Sequence, residues 1–206
     1  MASARSVGLR AAKARQTRLR IVRAAHDLFV AHGFEGTRIQ DVAKAAGVAV
    51  QTVYNTFQTK TGLLAEVEEF VVLGDRTDHE WRDAPWVHLL DEARTADVLL
   101  ARFVAIDTDI KARLAPFVLA VGPHLPDDGT SHVLRAKGQD EFFGYFLSRL
   151  QALQPLRPGL STQRALDILR VINTLGNYLD LTTNRAWTAK QWRDWLKDLL
   201  TQQLIA

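Results

Sequence analysis

The fold class predicted by the sequence is all-α, and three observations carry it. Apolar residues recur at helical spacing from residue 15 nearly to the C-terminus. No stretch alternates apolar and polar residues as a half-buried strand would. Gly and Pro punctuate the chain between the periodic segments, at "DAP" near Pro85, at "GPHLPDDG" over 122–129 and at "PLRPG" over 155–159. With 206 residues and 47% hydrophobic content, the chain buries a sizeable core, as one domain or as a small domain fused to a larger one.

The first helix is predicted from Arg15 to His32, where Ile21, Ala25, Leu28 and Phe29 fall at i, i+4, i+7 and i+8, and Gly33 ends it as a left-handed cap. Thr37 opens "TRIQDVAKAAG". A Thr followed three residues later by Gln40 has the spacing of a capping box, and Ile39, Val42, Ala43 and Ala46 form the buried stripe before Gly47. After "AGV" the pattern restarts with Val50, Val53, Tyr54 and Phe57. Gln51, Thr52, Asn55 and the hydroxyl end of Tyr54 are left on the outer side. A fourth helix begins near Lys60 and buries Leu63, Leu64, Val67, Phe70 and Val71.

Charge is segregated along this chain. Residues 1–60 hold ten basic and three acidic residues, whereas the remaining 146 hold sixteen basic and twenty acidic ones. Arg5, Arg10, Lys13, Arg15, Arg18, Arg20 and Arg23 all precede the first acid, Asp27. A solvated basic tail is the plain explanation. Nucleic acid is the better one, because Lys and Arg that neutralise phosphates release condensed counterions and gain affinity without reading sequence. Two short helices joined by a tight Gly-containing turn inside this basic segment make a helix-turn-helix, whose second helix enters the major groove. The stretch "GVAVQTVYNTFQTK", residues 47–60, suits that task. It presents amides and hydroxyls and no carboxylate that phosphate would repel.

Residues 15–72, through "AAHDLFVAHGFEGT", "IQDVAKAAGV", "TVYNTF" and "KTGLL", resemble the N-terminal domain of the TetR family of bacterial transcriptional regulators. The resemblance implies that Thr37, Tyr54 and Lys60 anchor phosphates, with Lys60 at a helix start where the dipole also favours an anion. It implies that Arg38, Gln40, Gln51, Thr52 and Asn55 reach base edges or nearby backbone. Two positions depart from the usual pattern: Ala49 stands where a capping Ser is common, and Thr56 where His or Tyr is common. Ala49 lacks the side-chain oxygen that stabilises a helix start by about 1 kcal/mol. The domain plan is a basic flexible arm over 1–14, a helix-turn-helix DNA-binding domain over 15–60 and a helical domain over 61–206. The arm's arginines are expected along the DNA backbone or in the minor groove, with a disordered arm as the alternative.

The second half reads as helices alone. "TADVLLARFVAIDTDIKARLAPFVLAV" is expected to be two helices divided near Pro116. Residues 131–153 form an amphipathic helix through Val133, Leu134, Phe142, Phe143, Phe146, Leu147 and Leu150. A helix over 162–183 carries Ala165, Ile168, Leu169, Ile172, Leu175 and Leu179, with Gly176 permitting close approach. The last helix, 189–204, carries Trp192, Trp195, Leu196, Leu199 and Leu200 behind a Thr188–Gln191 capping box. So apolar a pair is buried in its own domain or shared with a second copy. The family resemblance implies the latter, a homodimer through the two C-terminal helices, whose heads about 34 to 36 Å apart read a palindromic operator in double-stranded DNA.

The resemblance also implies a small-molecule effector pocket in the helical half. Its expected polar residues are Asp107, Asn173 and Asn177, the last two at i, i+4, and its apolar walls Trp86, Phe103, Phe117, His124 and Phe142. No catalytic residue, cofactor or metal site is predicted. The sequence has no Gly-rich phosphate loop, G-x-S-x-G or H-E-x-x-H, "KTG" at 60–62 lacks an S-x-x-K partner, and the six His residues show no close pair at helix spacing. Zero cysteines exclude disulfides, Cys-ligated zinc and thiol nucleophiles. No apolar run spans a bilayer and no signal sequence is visible, so a cytoplasmic location is expected. The resulting expectation is a ligand-responsive transcriptional repressor. The alternatives are an architectural or nucleoid-associated DNA-binding protein without effector control, and a helical ligand-binding or scaffold protein whose DNA-binding head has lapsed.

Overall fold

The computed structural model describes residues 2–73, 82, 84–122 and 130–205, and side chains within these from residue 9 onward except those of 130–137. Ten α-helices and no strand are present among the described residues: α1 Ala2–Gly36, α2 Ile39–Ala46, α3 Val50–Phe57, α4 Lys60–Leu73, α5 Pro85–Asp91, α6 Ala96–Val121, α7 Thr130–Leu153, α8 Thr162–Ile172, α9 Leu175–Leu179 and α10 Ala189–Leu204. A π-helical turn, Asp180–Asn184, follows α9. The chain divides into two compact units, one of residues 1–77 with 116–131 and the other of residues 78–115 with 132–206. The first compact unit therefore does not end at Lys60. It includes α4 and takes in a second segment from the end of α6.

In the first unit, Ile21, Val22, Ala25 and Phe29 of α1 are fully buried, together with Val42, Val53, Leu63, Leu64 and Val67 from the next three helices. The last turns of α6 join this core through Phe117 and Val121, both fully buried. The His26 ring stacks on Phe117 at 6.3 Å and meets Phe70 edge-on at 6.1 Å. Residues 2–14, assigned by sequence to a flexible arm, continue α1 as helix. Their physical basis is propensity: Ala, Leu, Arg and Lys make up nine of the thirteen residues and Pro is absent. Gly33 has the expected positive φ of 69°, but its ψ of 177° is extended, and one more turn follows before α1 ends.

The expected Thr37–Gln40 capping box does not form. Arg38 occupies the N-cap of α2 without a side-chain cap bond. The Thr37 hydroxyl instead donates to the Leu28 and Gly33 carbonyls, at 3.1 and 2.8 Å, closing the α1–α2 corner. The α2–α3 turn runs through Gly47 at φ 64°, ψ 43°, the left-handed conformation the turn requires.

The second unit has one continuous core. Leu99, Leu100 and Phe103 of α6, Phe143, Phe146, Leu147 and Leu150 of α7, Ala165 and Leu169 of α8, and Trp192, Leu196, Leu200 and Leu204 of α10 are nearly or completely inaccessible. Helix α6 is unbroken at Pro116, contrary to expectation. Proline there removes one helical bond, while burial of the helix on both sides of it, at Phe103 and at Phe117, holds the path. The single helix expected over 162–183 is broken instead. Asn173 leaves helical geometry at ψ 47°, and the Thr174 side chain caps α9 by accepting from the Asn177 amide N–H at 3.0 Å. The Thr188–Gln191 capping box of α10 forms as predicted, with both reciprocal bonds present.

Candidate nucleic-acid interface

Helix α3 is fixed from behind and open in front. Val53 and Phe57 are buried, while Gln51, Tyr54 and Asn55 are exposed and Thr52 is half-buried. No acid lies in its first turn. Gln51 Nε2 donates to Asn55 Oδ1 at 2.8 Å, so the two amides lie side by side, one turn apart. The Gln51 carbonyl and the Asn55 amino group remain on that face, an acceptor and a donor of the kind that bind base edges in the major groove. Ala49 caps α3 without a side-chain bond, as its sequence foretold. Thr56, the second departure, uses its hydroxyl within the helix, donating to the Thr52 carbonyl at 2.7 Å.

The other nominated residues separate into surface and structural groups. Arg38 and Gln40 are exposed at the start of α2. Lys60 opens α4, and its Nζ lies 4.2 Å from the centroid of the Phe34 ring, which holds the cation beside the end of α1. Thr37 is only 2% exposed and its hydroxyl donates to two carbonyls, so its side chain positions the α1–α2 corner rather than projecting from the surface. Arg18, counted by sequence among the basic run, is also structural. Its guanidinium grips Glu66 of α4 through contacts of 2.5 and 3.0 Å and lies 5.0 Å from the Phe57 ring centroid. Sequence reasoning missed this pair, because residues 48 positions apart share no local spacing signal.

The turn into α4 explains "KTG". A Cβ on Gly62 would lie 2.4 Å from the Phe57 carbonyl oxygen, and the Gly62 N–H donates to the Thr59 hydroxyl at 2.8 Å. Only glycine lets the backbone of α4 approach the end of α3 so closely. Gln58 takes φ 63° in the same turn. Lys44, not nominated from sequence, is an exposed cation in the last turn of α2.

Residues 21–67 match the family model for bacterial regulatory proteins, tetR family. That segment is therefore similar to the N-terminal domain of TetR-family regulators. No curated protein sequence matches the chain. Among solved structures it is similar to NalD of Pseudomonas aeruginosa, the secondary repressor of the MexAB-OprM multidrug efflux pump. The TM-score is 0.61 and the identity 21%, over 92% of this chain and 96% of that one. A protein of Rhodococcus sp. described as a TetR-family transcriptional regulator gives 0.66 at 15% identity, over 91% and 98% of the two chains. A Saccharomonospora viridis protein described as a transcriptional regulator, in complex with choline, gives 0.68 at 19% identity, over 93% and 98%. These likenesses show the same fold over nearly the whole chain.

The effector candidates are divided between the two units. Phe117 packs on His26 in the first unit. His124 lies outside the described residues. Trp86, Phe103 and Phe142 form an aromatic cluster, with centroids 5.2 Å apart for Trp86–Phe142 and 5.4 Å for Phe103–Phe142, and Phe103 stacks at 3.9 Å on Phe146. Asn177 is exposed, and its side-chain amide donates to the Val171 and Ile172 carbonyls at 3.0 and 2.9 Å, closing the end of α8. It therefore does not share a helix face with Asn173, because the break falls between them.

Asp107 and Asn173 do meet, through a residue the sequence reading passed over. Lys111 ion-pairs with Asp107, one turn earlier on α6, and donates to Asn173 Oδ1 at 2.8 Å. All three are buried, at 7%, 4% and 0% exposure for Asp107, Lys111 and Asn173. Burial pushes the Lys111 ammonium below the ordinary lysine range, and the neighbouring Asp107 carboxylate opposes that shift. The Asn173 Nδ2 is buried without a hydrogen-bond partner among the described residues. The i, i+4 spacing of Asp107 and Lys111 was the available signal. No cluster of three or more His, Asp or Glu able to hold a metal occurs among the described residues, and no described helix is long and apolar enough to cross a membrane.

Proposed function

We propose that this protein is a TetR-family regulator, a homodimeric, ligand-responsive repressor that reads a palindromic operator with α3. The observation that carries the reading is the outward face of α3, where Gln51, Tyr54 and Asn55 are exposed on a helix anchored by Val53 and Phe57. Arg38, Gln40 and Lys60 flank it as backbone or base contacts. The likeness to NalD supports repression as the sign of regulation.

Dimerisation through α8 and α10 is supported by the apolar residues these helices leave partly or largely uncovered. Val171 is 72% exposed, and Leu166, Ile168, Ile172, Trp195 and Leu199 are half-buried. The Asp107–Lys111–Asn173 cluster, with an amide donor lacking a partner, is the polar group best suited to sense an effector. An effector shifts the dimer between DNA-competent and DNA-incompetent states only by binding one of them better.

Selection from a random duplex library, followed by sequencing, tests this reading. It predicts a palindrome with half-sites about 10–10.5 base pairs apart, or a multiple of that spacing. Affinity for that site should exceed affinity for a scrambled duplex by about 10³-fold or more. Salt-sensitive binding without a consensus would replace the operator reading with the architectural one.

A further inference from the structure

We propose that the N-terminal half of α1 is a second DNA-contacting element: a basic helix that lies along the duplex outside the bases read by α3 and neutralises its phosphates. The inference rests on the reading of α3 as the recognition helix.

Its first support is placement. Arg18 is gripped by Glu66 and lies against Phe57, the last residue of α3, so α1 passes the C-terminal end of the recognition helix at that point. From Arg18 back to Ala2 the helix continues for sixteen residues, about 24 Å at 1.5 Å per residue. That is the length of about seven base pairs at 3.4 Å each.

The second support is the charge pattern. Arg10, Lys13 and Arg20 are exposed, and their spacing places them within about 80° around the helix. Lys13 and Arg20 lie away from the face that buries Ile21, Val22, Ala25 and Phe29, and Arg10 lies at its edge. None of the three has an ion pair among the described residues, and no acid precedes Asp27. This arrangement opposes the helix dipole, which favours acids rather than cations in the first turns. Exposed residues 9–16 also have no core to hold them helical. A polyanion lying along the helix removes both penalties. Helical placement favours the phosphate backbone over insertion as an extended strand into the minor groove.

The test uses the full-length protein and two duplexes, one ending at the selected palindrome and one extended by about ten base pairs on each side. Binding is titrated across salt for wild type, for the helix-preserving variant Arg10→Ala/Lys13→Ala and for a deletion of residues 2–14. Wild type should bind the extended duplex more tightly. The double variant should lower the slope of log K against log salt by about 1.8 per protomer on that duplex only, since each phosphate neutralised contributes about 0.9. The consensus sequence should stay the same, and the deletion should erase the difference between the duplexes.

Unchanged slopes with consensus binding intact would overturn the inference while leaving the recognition role of α3 standing. A deletion that changes oligomeric state without changing the slope would also overturn it, in favour of a second copy of the chain as the occupant. If wild type shows no sequence preference, the operator reading fails on its own. A loss of slope in the double variant would then still establish the phosphate contact.

Discussion

The outward face of α3 and the buried polar cluster of α6 and α8 use similar chemistry in opposite ways. On α3, amide and hydroxyl side chains sit on two buried anchors and face solvent, with their remaining donors and acceptors directed away from the protein. Between α6 and α8, a carboxylate, an ammonium and an amide face one another inside an apolar core. The first arrangement suits a partner that brings its own polar groups. The second holds its two charges to each other, because a buried charge left without its partner costs far more than an exposed one, and leaves one amide donor, Asn173 Nδ2, unused.

The sharpest way to break this contrast is Lys111→Met. It leaves Asp107 buried without its cation and should destabilise the second unit by about 3–5 kcal/mol, with most of that recovered in the apolar pair Asp107→Leu/Lys111→Met. Chemical denaturation of the three proteins measures both effects. A harmless single substitution would mean that the cluster is wet and open. Gly62→Ala comes next, because a Cβ 2.4 Å from the Phe57 carbonyl oxygen forces α3 and α4 apart. A loss of about 1–3 kcal/mol is expected, together with weakened DNA binding as α3 shifts.

Thr37→Val distinguishes positioning from phosphate contact. Loss of the hydroxyl that closes the α1–α2 corner should cost about 1 kcal/mol of stability and leave the salt dependence of DNA binding unchanged. A reduced salt slope at unchanged stability would restore Thr37 as a phosphate ligand.

The smallest effect is at high pH. Tyr145 is pushed up to about 12, first by burial and then by its hydrogen bond to the Asp91 carboxylate. The folded state therefore holds this proton more tightly than the unfolded chain, whose tyrosine titrates near 10. Its contribution to stability is complete below about pH 10 and is lost as pH rises toward 12. Tyr145→Phe should flatten the fall in stability over that window.

Most of the first unit was legible in the sequence because its signals are local. Spacing alone placed α2, α3, the start of α4 and the apolar stripe Ile39, Val42, Ala43 and Ala46. What escaped depended on distant residues. Thr37 has the spacing of a cap but donates to carbonyls of the preceding helix, and Arg18 looks like a free cation until Glu66 arrives from α4. In the second unit, apolar periodicity gave the helices but not the break at Asn173, which has side-chain partners on both sides of it. The same burial that carried α6 through Pro116 is tertiary, and a proline rule cannot register it.

The central claim is that the polar face of α3 reads sequence. The most direct test repeats the duplex-library selection with Gln51→Ala/Asn55→Ala beside wild type. Relaxed preference at a few symmetric positions is predicted, with each lost bidentate contact weakening discrimination there by about 1–3 kcal/mol and the half-site spacing unchanged. The same consensus from both proteins, recovered with the same stringency, would contradict it.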